Sequence, residues 1–286
     1  LFRSQPTLFE VNDPQFDNYK TKKHGKIFTL DHDTSGDGKI DVSDLEWTYL
    51  KGDGDFKSEE IKKLRDEADI IITNPPFSLF KEFLCWIIEA NKQFVIIGSM
   101  NAITYKEVFP LIQDNKMWTG SRFNKRLNGK NMTFTVPDDY TLSGTEVEMS
   151  SDGKKMISVA GTGWFTNLDH GIRHQFLPLM TMADNIKFSK HKEVKGREYQ
   201  KYDNYDAIEV PFTDAIPSDY DGVMGVPISF LPKYNPDQFE ILGATESEGK
   251  GFSNGLWDET SRVAQPLISQ NRVYKRIFIR NKKVQK

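Results

Sequence analysis

Asp69-Ile70-Ile71-Ile72-Thr73-Asn74-Pro75-Pro76-Phe77 is the stretch on which the fold turns. A compact β-branched run bounded by turn residues predicts a strand buried on both faces of a parallel sheet. The two prolines stop that strand, because neither can donate a backbone hydrogen bond and each holds the preceding residue extended. Working outward, Lys57 to Ala68 places Ile61, Leu64 and Ala68 on one face of a charged helix, and Ser78 to Ala90 reads as an apolar-rich helix. Phe94-Val95-Ile96-Ile97-Gly98 reads as a second buried strand, and Thr104 to Asp114 as an amphipathic helix before Lys116-Met117-Trp118-Thr119. Helices alternating with strands imply an α/β sheet with right-handed crossovers. After Gly120 the texture changes to short alternating runs with Gly, Pro and Asn turns, of which Met132–Val136 and Arg272–Arg280 are strand-like.

The tetrapeptide Asn74-Pro75-Pro76-Phe77 is the chemical centre of this reading. Ligands of open α/β sheets bind outside the carboxyl ends of the strands, which is where it falls. The Asn74 side-chain oxygen and the Pro75 carbonyl are two rigid acceptors, and an exocyclic amino group such as adenine N6 offers two matching donors. Accepting both keeps the nitrogen lone pair out of the ring and directs it at an electrophile. Phe77 offers a face on which a flipped base stacks. A strand terminator ahead of a helix is the plainer account of a bare Asn-Pro-Pro, but the Ile-rich strand before it and the aromatic after it favour chemistry.

These blocks resemble the EcoRI-type adenine-specific DNA methyltransferases. The resemblance rests on Leu50-Lys51-Gly52-Asp53-Gly54-Asp55-Phe56, on 68–80 around the Asn-Pro-Pro-Phe motif, on Asn101–Glu107 and on Gly163–His170. It continues through Tyr202–Ala207, Asp219–Pro227 and Arg272–Arg280. It implies methyl transfer from S-adenosylmethionine to adenine N6 of double-stranded DNA, usually beside a cognate restriction endonuclease. It further implies that Asp55 and Phe56 hold the cofactor's adenine, and that Trp164 and Phe165 cover the target base. The expected fold is a Rossmann-like methyltransferase sheet, N-terminally incomplete, because nothing in residues 1–50 supplies the methionine-end cofactor loop and the first residue is Leu1 rather than Met. Residues 1–170 are read as a partial catalytic domain with an insertion at 31–44, and 171–286 as a β-rich target-recognition region. The rival readings are a methyltransferase acting on RNA or on a protein glutamine, and a non-catalytic DNA-binding remnant.

Composition sets the outer bounds. In 286 residues, 37% hydrophobic with twenty Phe, ten Tyr and five Trp, there is ample material for a core, so a disordered chain is excluded. No apolar run reaches the roughly 18–20 residues of a membrane span, no signal peptide opens the chain, and the single Cys85 fits a reducing, cytoplasmic setting. The net charge of −3 conceals an acidic segment, 31–69, and two basic ones. The first, Lys187 to Lys201, carries Lys187, Lys190, Lys192, Lys195 and Arg197; the second, from Asn271 onward, carries Arg272, Lys275 and Arg276 and no acid. With Phe188, Tyr199, Tyr202, Tyr274 and Phe278 interleaved, they are candidate phosphate contacts.

Residues 33–44 fit a twelve-residue calcium loop: Asp33, Ser35, Asp37, Asp41 and Asp44 at the oxygen-ligand positions, the Lys39 carbonyl between them, and Gly38 at the sharp turn. A structural Ca²⁺ is therefore expected as one possibility, against an ion-free Asx-rich turn. The five histidines are scattered, without the spacing of a zinc site.

Overall fold

The computed structural model describes residues 11, 13–105, 107–121, 133–141, 147–158, 161–245, 251–253 and 265–282. By internal contacts the chain divides into two units, one comprising residues up to Asp69 with Ile87–Lys92, the other Ile70–Trp86 with everything from Gln93 onward.

In the first unit, α1 (Asn18–Lys23) starts at Asp17, whose carboxylate accepts from the N–H groups of Tyr19 and Lys20. Strands β1 (Lys26–Thr29) and β2 (Glu46–Tyr49) pair antiparallel. Their centre is the buried Trp47, stacked on Phe28 and donating its indole N–H to Asp13. Helix α2 (Glu59–Glu67) is capped by Ser58 and carries two glutamates in its first turn, where the helix dipole favours them.

The second unit opens with β3 (Ile70–Thr73), the greater part of α3 (Phe80–Glu89), as far as Trp86, and β4 (Gln93–Ser99), and β3 runs parallel to β4 with Ile72 opposite Val95. Then follow α4 (Phe109–Gln113), β5 (Trp118–Thr119), β6 (Thr133–Thr135), β7 (Val147–Met149), β8 (Lys155–Ser158) and β9 (Thr162–Thr166). One sheet has the order β3-β4-β9-β5, with β9 antiparallel to both neighbours, and β6-β8-β7 is a small antiparallel sheet. The remainder comprises α5 (Met182–Phe188), β10 (Ile208–Glu209), β11 (Met224–Pro227), β12 (Phe239–Thr245), β13 (Gly251–Ser253), β14 (Leu267–Ile268), β15 (Asn271–Arg272) and β16 (Arg276–Asn281). Its main sheet, β10-β11-β16-β12-β13, is antiparallel except for β10 against β11. The 170/171 boundary expected from the sequence lies inside this second unit, just before a 3-10 turn at Gly171–His174. The chain is thus a mixed α/β protein, and no helix among the described residues is long and apolar enough to cross a membrane.

Three expectations are corrected. Strand β3 is not buried on both faces: Ile70 is exposed and Ile72 is 71% exposed, because β3 is the outermost strand of its sheet among the described residues. The helix expected over 104–114 is a 3-10 turn, Met100–Thr104, followed by the short α4. Pro110, which suits only a first turn, sets that late start. The strand expected over 272–280 belongs to two sheets. Its beginning closes the β14-β15 hairpin, whose turn residues Ser269 and Gln270 both have positive φ, and its end is β16.

Candidate active site

Parallel pairing of β3 with β4 and antiparallel pairing of β4 with β9 bring three chain ends to one edge of the sheet: the segment after Thr73, Ser99, and Thr162 opposite it. Asn74 is exposed at this edge and Pro75 behind it is buried. Pro76, at φ −52° and ψ 130°, turns the chain into a 3-10 turn, Phe77–Leu79, closed by the Leu79 N–H on the Pro76 carbonyl at 2.8 Å. Phe77 is 48% exposed. The motif therefore offers an outward amide, a fixed proline pair and an open aromatic ring.

The base of this loop is braced by packing that the sequence reading missed. Phe80, first residue of α3, is fully buried against Phe165, ring centroids 5.7 Å apart. A Cβ on Gly98 would lie 2.4 Å from Phe80 Cε2, so only glycine leaves room for that ring. A glycine inside an apolar strand pattern is the signal that could have found this close approach. Phe165 is accordingly a core ring with no surface for a target base, which corrects its expected stacking role. Trp164, on the other face of β9, is the half-buried member of the pair.

Asp55 and Phe56 lie in the first unit, in the turn between β2 and α2. Gly54 takes φ +85°, which L side chains rarely adopt, and the Asp55 carboxylate caps the Lys57 N–H at 2.9 Å. Glu60, a residue not foreseen, accepts from the N–H groups of Lys51 and Gly52, both at 3.0 Å. Those two bonds hold its carboxyl below the usual glutamate value. An exposed carboxylate beside a half-buried ring, on a turn fixed at both ends, suits the amino edge and the face of a purine.

The sequence profile described as "Adenine-specific methyltransferase EcoRI" matches residues 4–282. The chain belongs to this family. It is 42% identical to the Type II methyltransferase M.EcoRI of Escherichia coli, over 98% of this chain and 77% of that protein. It is 41% identical to the Type II methyltransferase M.MgeORF184P of Mycoplasma genitalium, over 68% of this chain and 58% of that one. With M.MpnI of Mycoplasma pneumoniae the identity is 36%, over 71% and 60% of the two chains. No solved structure matches. Membership of the EcoRI methyltransferase family makes the chain an adenine-specific DNA methyltransferase and implies S-adenosylmethionine as cofactor.

The basic residues sort by burial. Lys187, Lys192, Lys195 and Arg197 are exposed; Lys190 is exposed and paired with Asp214 at 2.7 Å. In the second basic stretch Arg272, Arg280 and Lys282 are exposed, and Arg280 lies 3.8 Å from Glu240. Lys275 is buried, and the Arg276 guanidinium is bound to Glu209 through Nη2 at 2.6 Å and Nε at 3.0 Å, so both are corrected from DNA contacts to parts of the fold. Tyr202 and Phe278 are likewise core rings, whereas Phe188 and Tyr274 are exposed. Lys283 and Lys286 lie outside the described residues.

The loop at 33–44 is also corrected. Among the described residues no three His, Cys, Asp or Glu side chains are grouped to hold a metal ion. Asp44 is buried and its oxygens are occupied by the loop itself: Oδ1 accepts from the N–H groups of Thr34 and Ser35, Oδ2 from that of Asp41. Asp33 accepts from the N–H groups of Gly36 and Gly38, Asp37 from Lys39, and Asp41 from Ser43. Calcium is unsupported, and the loop is an Asx-rich turn built on its own backbone donors.

Proposed function

We propose that this chain methylates N6 of an adenine flipped out of double-stranded DNA, in a restriction-modification pair with an endonuclease acting on the same site. The β3-α3-β4 unit is read as part of a Rossmann-like methyltransferase sheet, and the strands from β10 onward as the target-recognition region. Asp55 would accept from the amino group of the adenine of S-adenosylmethionine and Phe56 would pack on that ring; the cofactor would supply an electrophilic methyl group. Asn74 Oδ1 and the Pro75 carbonyl accept the two N–H bonds of the target amino group, leaving its lone pair free to attack. No side chain needs to remove a proton first: as the nitrogen bonds the methyl carbon, the carbon–sulfur bond would break, S-adenosylhomocysteine would leave, and the surplus N6 proton would pass to water. Phe77 stacks on the flipped base, with Trp164 as the second aromatic candidate.

The observation that carries this reading is the exposed Asn74 amide at the carboxyl edge of β3, backed by the buried Pro75 and next to the open Phe77 ring. Removing one positioned polar contact from such a site costs on the order of 10²–10³ in rate. Asn74→Ala should lose about that much methyl transfer from labelled cofactor. Because Asn74 is exposed, melting temperature and DNA affinity should stay near wild type. Near-normal turnover would remove Asn74 from the chemistry. DNA treated with the wild-type chain should resist one endonuclease specificity and remain open to others.

A further inference from the structure

Beside the basic segment 187–201 lies a cleft of about 660 Å³, lined by Glu193, Arg197, Glu198, Tyr199, Gln200 and Glu209 among others. Its walls are fixed. The Tyr199 hydroxyl donates to the Ala215 carbonyl at 2.6 Å, the Glu209 N–H to the Gln200 carbonyl at 2.8 Å, and the Gly196 N–H to the Ile186 carbonyl at 2.7 Å. Glu209 is anchored by the Arg276 guanidinium and by the Tyr202 hydroxyl, and both members of the ion pair are 11% exposed. A preformed cleft of this size is typical of a binding site.

Its charge does not suit phosphate. Glu193 and Glu198 are exposed, and among the described residues neither is in a salt bridge. Carboxylates repel a phosphate backbone but accept from exocyclic amino groups, as on cytosine N4. Gln200 can bind adenine N6 and N7 as a bidentate pair, and Arg197 guanine O6 and N7. The exposed Lys192 and Lys195 have the opposite chemistry and suit phosphates. We propose that this cleft reads base edges of the target DNA through Arg197, Glu198 and Gln200, while the lysines of the same segment hold the backbone. This rests on the DNA reading above and divides one basic segment into two roles.

The test compares two double variants, Arg197→Ala with Gln200→Ala and Lys192→Gln with Lys195→Gln. All four side chains are exposed, so both variants should melt like wild type. Each is incubated with S-adenosylmethionine and a pool of random-sequence duplexes, the methylated adenines are located by sequencing, and duplex affinity is measured across salt concentrations. The lysine variant should keep the wild-type consensus and lose about two units of salt slope, near 0.9 for each phosphate contact. The cleft variant should keep the slope and relax the consensus at one or two positions, with discrimination there falling roughly 5- to 150-fold. An unchanged consensus in the cleft variant overturns the assignment, and so does a slope lost as in the lysine variant, which would make Arg197 a phosphate contact. A wild-type chain that methylates no duplex adenine overturns the DNA reading itself, and the cleft assignment with it.

Discussion

Gly98 shows how one missing methyl group shapes the active edge. Its hydrogen leaves the space that Phe80 fills, and Phe80 is the first residue of the helix following the Asn74–Phe77 loop. Gly98→Ala forces a shift of that ring, and overpacking of this kind costs about 1–3 kcal/mol. Urea denaturation should show that loss, and adding Phe80→Leu should recover part of it, because residues in contact couple. Phe165→Ala, at the other side of the same ring, should cost about 3–5 kcal/mol through the cavity it leaves. Asn74 is the complement: exposed, packed against little, and expected to matter to rate alone.

Among the elements, two depend on carboxylates turned onto backbone N–H groups. Glu60 in α2 holds Lys51 and Gly52, and Asp44 holds Thr34, Ser35 and Asp41. Bonds from the Lys51 and Gly52 N–H groups lower the Glu60 carboxyl; bonds from Asp41 and Ser35, chiefly, lower that of Asp44 well below the carboxylate range. With the folded value below the unfolded one, the unfolded chain binds protons more readily as the pH drops. The stabilisation is therefore complete above the ordinary carboxylate values and is lost as pH falls through the folded ones. Amide hydrogen exchange at Gly52 and Ser35 should speed up on acidification before amides of β12 do, once corrected for the intrinsic pH dependence of exchange. The Arg276–Glu209 pair between β16 and β10 behaves differently, since removing one charge strands the other. Arg276→Ala should cost roughly 3–5 kcal/mol in urea denaturation, and adding Glu209→Gln should restore part of it.

At the scale of the whole molecule, the sequence made legible what depends on local pattern. The β3-α3-β4 succession, the α2 helix, and the position of Asn74–Phe77 at a strand end all follow from periodicity and from proline chemistry. What escaped depends on partners distant in sequence. Nothing near Arg276 announces Glu209, and an alternating strand looks the same whether its arginine meets phosphate or a buried carboxylate. The apolar run at Ile70–Ile72 reads as fully buried because composition records hydrophobicity and not a strand's place in the sheet order. The calcium spacing at 33–44 serves a loop whose carboxylates bind its own amides, since ion ligation and Asx turns favour the same residues at the same intervals.

That outermost position of β3 also governs how the protein behaves as a solute. A strand with one side unpaired among the described residues and an isoleucine 71% exposed is a template for a second chain in a concentrated solution. Light scattering should rise with protein concentration as such edges meet, and it should rise more on gentle warming, when apolar contact strengthens. A single Ile72→Lys change places a charge in the middle of that edge and should raise the concentration at which scattering begins. The melting temperature should barely move, because that side chain contributes little to the interior.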